Sequence, residues 1–421
     1  MRRDYDASPD NHAPKPKRIY DPIHRFIELD AGEVALLALP AVQRLRRLRQ
    51  LGLAYLAFPS AEHSRFSHAL GALASGTRVF DALRVHSPEA FASEREFTEK
   101  RKLLRAALLL HDVGHGPFSH ASEAVLGVHH EQRTEAILAL PEIREALAAI
   151  DVEHAEVLGL ITGAHDADPV LRELVSGPNL DADRMDYLLR DAYFTGVAGG
   201  AYDAEQLIAS LRVLEIDGRP QLGVDGRGVV ALESFVLARY MMFATVYFHH
   251  TTRAFERVLH DVLERLWADP RALDDVREFL GWDDFRIIDD LRPMEGEGVR
   301  ALRERRTVYG LVAEFNAAKD LTVFELCERA LRARWRDAVW ADSQEQLLHR
   351  LPLGTAGSAP TVRVRLMGRI VDAREASDVI GKLSGKAYWR KLFVRTDAAP
   401  VGEARAVCAE LIESGGQPRL L

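Results

Sequence analysis

Cysteine is almost missing from this chain: only Cys327 and Cys408 occur in 421 residues, far apart and without metal-type spacing. A disulfide framework and a thiolate metal cluster are therefore excluded as organising devices, and a reducing, cytoplasmic setting is expected. Long apolar runs are scarce as well. No stretch is read as approaching membrane-spanning length, and Met1 to Arg18 lacks a signal peptide's hydrophobic stretch, so no membrane association is expected. Excess positive charge is lacking too. The formal net charge of -8 argues against a general nucleic-acid binder but leaves room for a local basic pocket that holds phosphates. Internal repeats are absent. What is present, 47% hydrophobic and 28% charged residues, suits a folded chain with a large core in one big domain or two ordinary ones.

Helical periodicity dominates, so the expected fold class is mainly α. Apolar residues at three- and four-residue steps predict helices over 67–83, 97–110, 117–126 and 131–138, and Pro40 opens another over 41–51. Further helices are expected over 142–150, 153–161, 169–174 and 181–192. Asp217-Gly218 and Asp225-Gly226, set between short apolar stretches, predict a small β-hairpin within 211–230. A long helix is expected over 232–267, where neither proline nor glycine occurs. Shorter helical segments follow to about residue 350, then a Gly/Pro loop over 352–360, strand-like alternation over 361–366 and 386–395, and a closing helix over 401–413. The expected organisation is a mobile, mildly basic tail over 1–19, a helical catalytic core over 20–270, and a smaller mixed α+β lobe over 271–421.

Three stretches carry the chemistry. The first reads His111-Asp112-Val-Gly-His115-Gly-Pro-Phe-Ser-His120, directly after the apolar run Leu103–Leu110. Imidazole and carboxylate together suit Mn, Fe, Zn or Ni, whereas a bare Mg or Ca site favours oxygens alone. The plain alternative is a histidine-rich helix end that complements the macrodipole. Against it, several ionisable groups capping a run of leucines are costly to bury without a shared partner. The second stretch is His63-Ser-Arg65-Phe-Ser-His68, at the head of a helix. The third is Asn179-Leu-Asp181-Ala-Asp183-Arg184-Met-Asp186-Tyr187-Leu-Leu-Arg190-Asp191, where Asp181 alone reads as a helix cap.

One histidine, then His-Asp, then a distant aspartate is the ligand order of the HD phosphohydrolase superfamily. The chain resembles its dNTP triphosphohydrolase branch, which includes sterile-alpha-motif/HD-domain proteins and their bacterial relatives. The resemblance runs from Tyr20-Asp-Pro-Ile-His24 through Gln43-Arg-Leu-Arg46 and Gln50-Leu-Gly52, across the three stretches, to Tyr247-Phe-His249. No sterile-alpha-motif segment is expected ahead of it. The resemblance implies an HD-domain helical core and a divalent metal ion (Mn, Fe, Mg, Zn or Ni) held by His68, His111, Asp112 and Asp183. It makes His130 the general acid, in a segment His130-Glu131-Gln whose Glu131 belongs to the catalytic set. His115 either contacts the α-phosphate or orients its neighbours. Arg65, Arg184 and Arg239 match phosphate-binding positions, where a planar guanidinium grips two oxygens at once. Gln50, Tyr187 and Asp191 match positions that hold the sugar, His120 another substrate contact, and Tyr247 an aromatic wall at the 2′-carbon that selects deoxynucleotides. Lys17, Gln43, Arg46 and His249 match a regulatory nucleotide site.

Two departures stand out. Leu36-Leu-Ala-Leu-Pro40 is wholly apolar where guanine-regulated relatives carry an acidic residue, and Phe243 stands where relatives have histidine. The expected activity is conversion of dNTPs to deoxynucleoside and inorganic triphosphate, in an allosteric homo-oligomer, dimer or tetramer. The alternatives are another HD phosphohydrolase activity (nucleotide phosphatase, phosphodiesterase or single-strand nuclease) or a nucleotide-binding regulatory protein.

Overall fold

A computed structural model describes residues 15–267, 274–316, 320–347, 362–383 and 386–414. Its centre is three packed helices, Arg65–His86, Glu94–Leu110 and Ala182–Thr195. Each starts at a side-chain cap: Ser64 accepts from Ser67 N, Ser93 from Glu96 N and Asp181 from Arg184 N. The first helix is buried along nearly its whole length, and its small residues set how close the neighbours come. A Cβ on Gly71 would lie 1.9 Å from Asp186 Oδ1, and one on Gly76 would lie 2.3 Å from Leu108 Cδ1. The second helix is polar at its start and buried from Leu104 to Leu110, so the apolar run carries the chain inward and leaves His111 at its end.

Most expected helices form within a few residues of their predicted bounds. The expected helix over 117–126 begins later, at His120, because Phe118 and Ser119 adopt φ of 53° and 57°. The hairpin is present as Leu211–Ile216 paired antiparallel with Arg219–Asp225, and it extends through Arg363–Leu366 and Arg369–Asp372 into a four-stranded sheet. Lys386–Arg395 is the central strand of a three-stranded sheet. Its neighbours Tyr309–Phe315 and Val339–Leu347 fall where the sequence suggested helical segments.

Other expectations are corrected. Residues 1–14 and the loop over 352–360 lie outside the described residues, but Lys17–Ile19 are not tail. They belong to strand Lys17–Asp21, paired with Arg25–Leu29, whose Ile27 and Leu29 are buried. The single long helix over 232–267 is instead Val229–Met242, a π-helical turn over Phe243–Tyr247, and a new helix, His250–Leu266, in which the His249 side chain accepts from Thr251 N. Gly226–Tyr247, at 22 residues and mean hydropathy 1.6, is long and apolar enough to cross a membrane by length and composition. Its buried residues, Arg239 among them, pack in the protein interior.

Apolar packing does not divide at residue 270. One core runs from Ile27 to Ile380 and includes Phe279, Trp282, Ile287 and Leu291 together with Val362 and Val364. A separate small core joins Phe324, Cys327 and Leu331 to Val339, Leu392, Val394 and Cys408. The tightest approach within the large core gives a direct test. Gly71→Ala would drive a methyl into the Asp186 carboxylate, and we expect a loss of about 3 kcal/mol, the upper end for overpacking, measured by urea denaturation.

Candidate active site

The three central helices converge on one spot. His68 comes from the first turn of Arg65–His86, His111 and Asp112 from the end of Glu94–Leu110, and Asp183 from the first turn of Ala182–Thr195. His68 Nε2 is 2.9 Å from Asp183 Oδ1 and 3.8 Å from Asp112 Oδ2. His111 Nε2 is 3.4 Å from Asp112 Oδ1 and 3.8 Å from Asp183 Oδ1. The four residues implied as metal ligands are thus gathered at one place.

Both imidazoles are held from behind. His68 Nδ1 lies 2.8 Å from Asp186 Oδ2, and His111 Nδ1 lies 2.9 Å from the Leu108 carbonyl. A bond at Nδ1 fixes the ring and turns the Nε2 lone pair toward the cluster. Each Nε2 is buried and faces the carboxylates of Asp183 and Asp112. Two buried imidazole nitrogens facing two carboxylates form a donor set that fits a divalent transition-metal cation. The protein's own charges compensate one another at this spot. Burial would lower His68, but Asp183 and Asp186 raise its pKa to about 10. Burial would raise Asp183, but His111 and His68 hold it well below the usual carboxylate range.

Asp186, which the sequence reading quoted without assigning, anchors this layer. It is fully buried, meets His24 Nε2 at 2.7 Å, and accepts Arg190 Nε and Nη2 at 2.9 Å each. Arg190 also donates to Asp21 at 2.8 and 3.2 Å. The signal was available: Asp183, Asp186 and Arg190 follow one another at three- and four-residue steps, on one helix face.

Beside the four-residue cluster, His115 and His130 stack with ring centroids 3.9 Å apart. His115 Nε2 lies 3.3 Å from Asp112 Oδ1. Burial, reinforced by the Arg65 charge, pushes the His115 pKa down to about 4, so this ring is neutral at pH 7. Glu123 Oε1 lies 3.0 Å from His130 Nδ1 and 3.5 Å from His115 Nδ1. The structure places Glu123, and not Glu131, against the His115–His130 pair. Glu131 is exposed and, among the described residues, makes no contact with the cluster, because adjacent positions on a helix face different ways. Glu123 sits inside the short helix His120–Leu126 and was overlooked for want of any motif around it.

Arginines and a polar-aromatic wall complete the surroundings. Arg65 Nη1 donates to Asp112 Oδ2 at 2.7 Å, and Arg184 pairs with Asp181 and donates to the Gly177 carbonyl at 2.6 Å. Arg239 is buried and stacks over Phe243 at 5.6 Å. Tyr187 lies between the rings of His68 (6.4 Å) and Tyr247 (6.1 Å). Asp191 accepts the Tyr247 hydroxyl at 2.9 Å and meets His63 Nε2, from the head of the second stretch, at 2.8 Å. Gln50 Oε1 is buried and, among the described residues, has no hydrogen-bond partner. His120 is the first residue of helix His120–Leu126.

The residues implied for a regulatory site lie at separate places among the described residues of this chain. Gln43 Oε1 accepts Arg46 Nε at 2.9 Å, and Arg46 lies over Phe66 at 3.5 Å. Lys17 is exposed on the N-terminal hairpin, and His249 stacks on His250 and Phe58. Among the described residues no contact joins the Gln43–Arg46 pair to Lys17 or His249.

The HD domain family matches residues 65–191, and the HD associated region matches 202–388. YwfO of Bacillus subtilis is 38% identical over 62% of this chain and 58% of its own length. The deoxynucleoside triphosphate triphosphohydrolase SAMHD1 homologue of Dictyostelium discoideum is 28% identical over 75% of this chain and 64% of its own length. The chain thus spans less than two thirds of these relatives. A crystal structure of a hypothetical protein from Aquifex aeolicus superposes with a TM-score of 0.78 at 30% identity, covering 93% of this chain and 99% of that one. The chain belongs to the HD-domain phosphohydrolases and is similar to their dNTPase-type members.

Proposed function

We propose that this chain is a metal-dependent dNTP triphosphohydrolase that releases a deoxynucleoside and inorganic triphosphate. The observation that carries the reading is the juxtaposition of the His68–His111–Asp112–Asp183 cluster, the Arg65 guanidinium on Asp112, and the stacked His115–His130 pair held by Glu123. His68, His111, Asp112 and Asp183 would hold the divalent cation, which when bound polarises a phosphate oxygen and acidifies water.

Hydrolysis adds a water oxygen to the α-phosphorus and breaks its bond to the 5′-oxygen, which must leave with a proton. His130, oriented through Nδ1 by Glu123, supplies that proton from Nε2. His115, neutral and fixed against Asp112, approaches the same phosphate without adding charge. Arg65, Arg184 and Arg239 offset the charge of the triphosphate in a chain that is acidic as a whole. Tyr247, pinned by its hydroxyl to Asp191, presents a ring edge to the sugar. Tyr187 packs edge-on against Tyr247 at 6.1 Å, so a ribose 2′-hydroxyl meets an aromatic wall where a deoxyribose fits, with Gln50 as a further sugar contact.

Incubating the protein with each dNTP and Mn or Mg tests the reaction. The expected products are nucleoside and inorganic triphosphate; monophosphate with pyrophosphate, or no turnover of any dNTP, would sink it. Asp183→Ala should lose bound metal and turnover together while its thermal melt stays near that of the parent, and retained metal would remove Asp183 from the ligand set. Glu123→Gln should keep its metal, measured by elemental analysis, while kcat falls by about tenfold to a hundredfold, the usual cost of losing an orienting partner.

A further inference from the structure

The loop leading away from His115 stores strain. Phe118 and Ser119 are consecutive non-glycine residues at φ of 53° and 57°, a region such residues hold only when their surroundings impose it. A single carboxylate imposes much of it here. Asp284, fully buried at the start of helix Asp284–Leu291, accepts Phe118 N–H through Oδ1 at 2.7 Å and Arg49 N–H through Oδ2 at 2.9 Å. On the far side of the loop, the Ser119 hydroxyl donates to the Arg49 carbonyl at 3.2 Å and accepts Arg65 Nε and Nη2 at 3.0 and 2.8 Å. One donor and two acceptor positions are all a hydroxyl offers, so this one is saturated with a fixed polarity. Arg65 Nη1 then reaches Asp112 Oδ2 at 2.7 Å. Gly52, at φ +51°, makes room for the loop, since a Cβ there would stand 3.1 Å from the Phe118 carbonyl.

Asp284 touches none of the groups assigned to chemistry or metal. Burial pushes its carboxyl up to about 6, while the two backbone donors and the Arg49 and Arg44 charges favour the ionised form. An ionisable group kept in an apolar core at that cost needs a reason. We propose that Asp284 is a positioning residue for phosphate binding: by clamping Phe118 and Arg49 it fixes Ser119, and through Ser119 the direction in which Arg65 presents its guanidinium. The inference rests on the reading above only in taking Arg65 as a phosphate ligand.

The test uses full-length, metal-loaded protein and inorganic triphosphate as the probe, with Mg in excess, read by titration calorimetry beside metal content and thermal melts. Asp284→Asn keeps the shape but sets an NH2 against one of the two backbone donors. We expect triphosphate affinity to fall about tenfold, in the range for groups that orient a binding residue, with metal content unchanged. Ser119→Ala should give the same loss, and the double variant no more than either single, because both act through one path. Multiplied losses in the double variant, or wild-type affinity in either single, would overturn the proposal. Should Asp284→Asn fail to fold, Ser119→Ala decides alone, since it breaks the path without disturbing the buried carboxylate. Absence of dNTP turnover in the parent would end the proposed reaction and leave this test standing, whereas absence of triphosphate binding by the parent would end the positioning role.

Discussion

The candidate site depends on one close approach: the Arg65–His86 and Ala182–Thr195 helices meet at Gly71, where no side chain separates backbone from the Asp186 carboxylate. That proximity lets Asp186 reach His68 from one helix while it is gripped by Arg190 from its own. His68 is fixed at its Nδ1 edge before any ligand arrives, and its Nε2 faces Asp183, one turn earlier than Asp186 on the same helix. Hydrogen bonds in this layer are strong because it is dry, and the same dryness makes an unpaired member costly. The chain runs from Asp21 through Arg190 and Asp186 to His24 and His68, with the N-terminal hairpin supplying Asp21, which also accepts the His24 backbone N–H.

The electrostatics follow from the same burial. A chain of net charge -8 would repel a triphosphate at long range, so the proposed binding would rest on local arginines with restricted freedom. Arg65 is tied to Asp112 and Ser119, Arg184 to Asp181 and Gly177, and Arg239 sits over Phe243. Holding each guanidinium in place lowers the conformational entropy lost on binding an anion. The pairing with acidic partners also keeps neighbouring like charges tolerable in a desolvated pocket.

Local pattern made much of this legible and tertiary contact hid the rest. His111 and Asp112 stand at the end of a leucine-rich helix, and Asp183, Asp186 and Arg190 follow helical spacing, so each stretch was legible by itself, whereas the joining of His68 and Asp183 to His111 and Asp112 came from the family resemblance. Glu123 was not legible, because its partner His130 comes from the next helix and no local rule links them. The interruption of the helix over 232–267 was equally hidden. Nothing in the Phe243–Tyr247 sequence breaks a helix. The π turn accompanies contacts that only the fold supplies: the Tyr247 hydroxyl on Asp191, and Phe243 and Phe248 against Trp389 from the distant strand Lys386–Arg395. Such single widened turns favour functional positions because they re-aim a side chain without ending the helix. The strands Tyr309–Phe315 and Val339–Leu347 escaped for a related reason, since each is defined by pairing with Lys386–Arg395.

The segments beyond residue 270 matter to the site through support. Arg44, fully buried, donates to the Trp282 carbonyl at 2.7 Å and to the His115 carbonyl at 2.8 Å while stacking over Phe279 at 4.7 Å. It therefore locks residues 279–282 to the backbone of the motif that carries His115. Asp284 does the same for Phe118 and Arg49, and Trp389 backs the aromatic wall that ends in Tyr247. The ligand set comes from three short helical pieces, but the strained loop and the π turn beside it are conformations those pieces do not favour by themselves. Their persistence requires partners from elsewhere, and the described structure draws several of those partners from the C-terminal third of the chain.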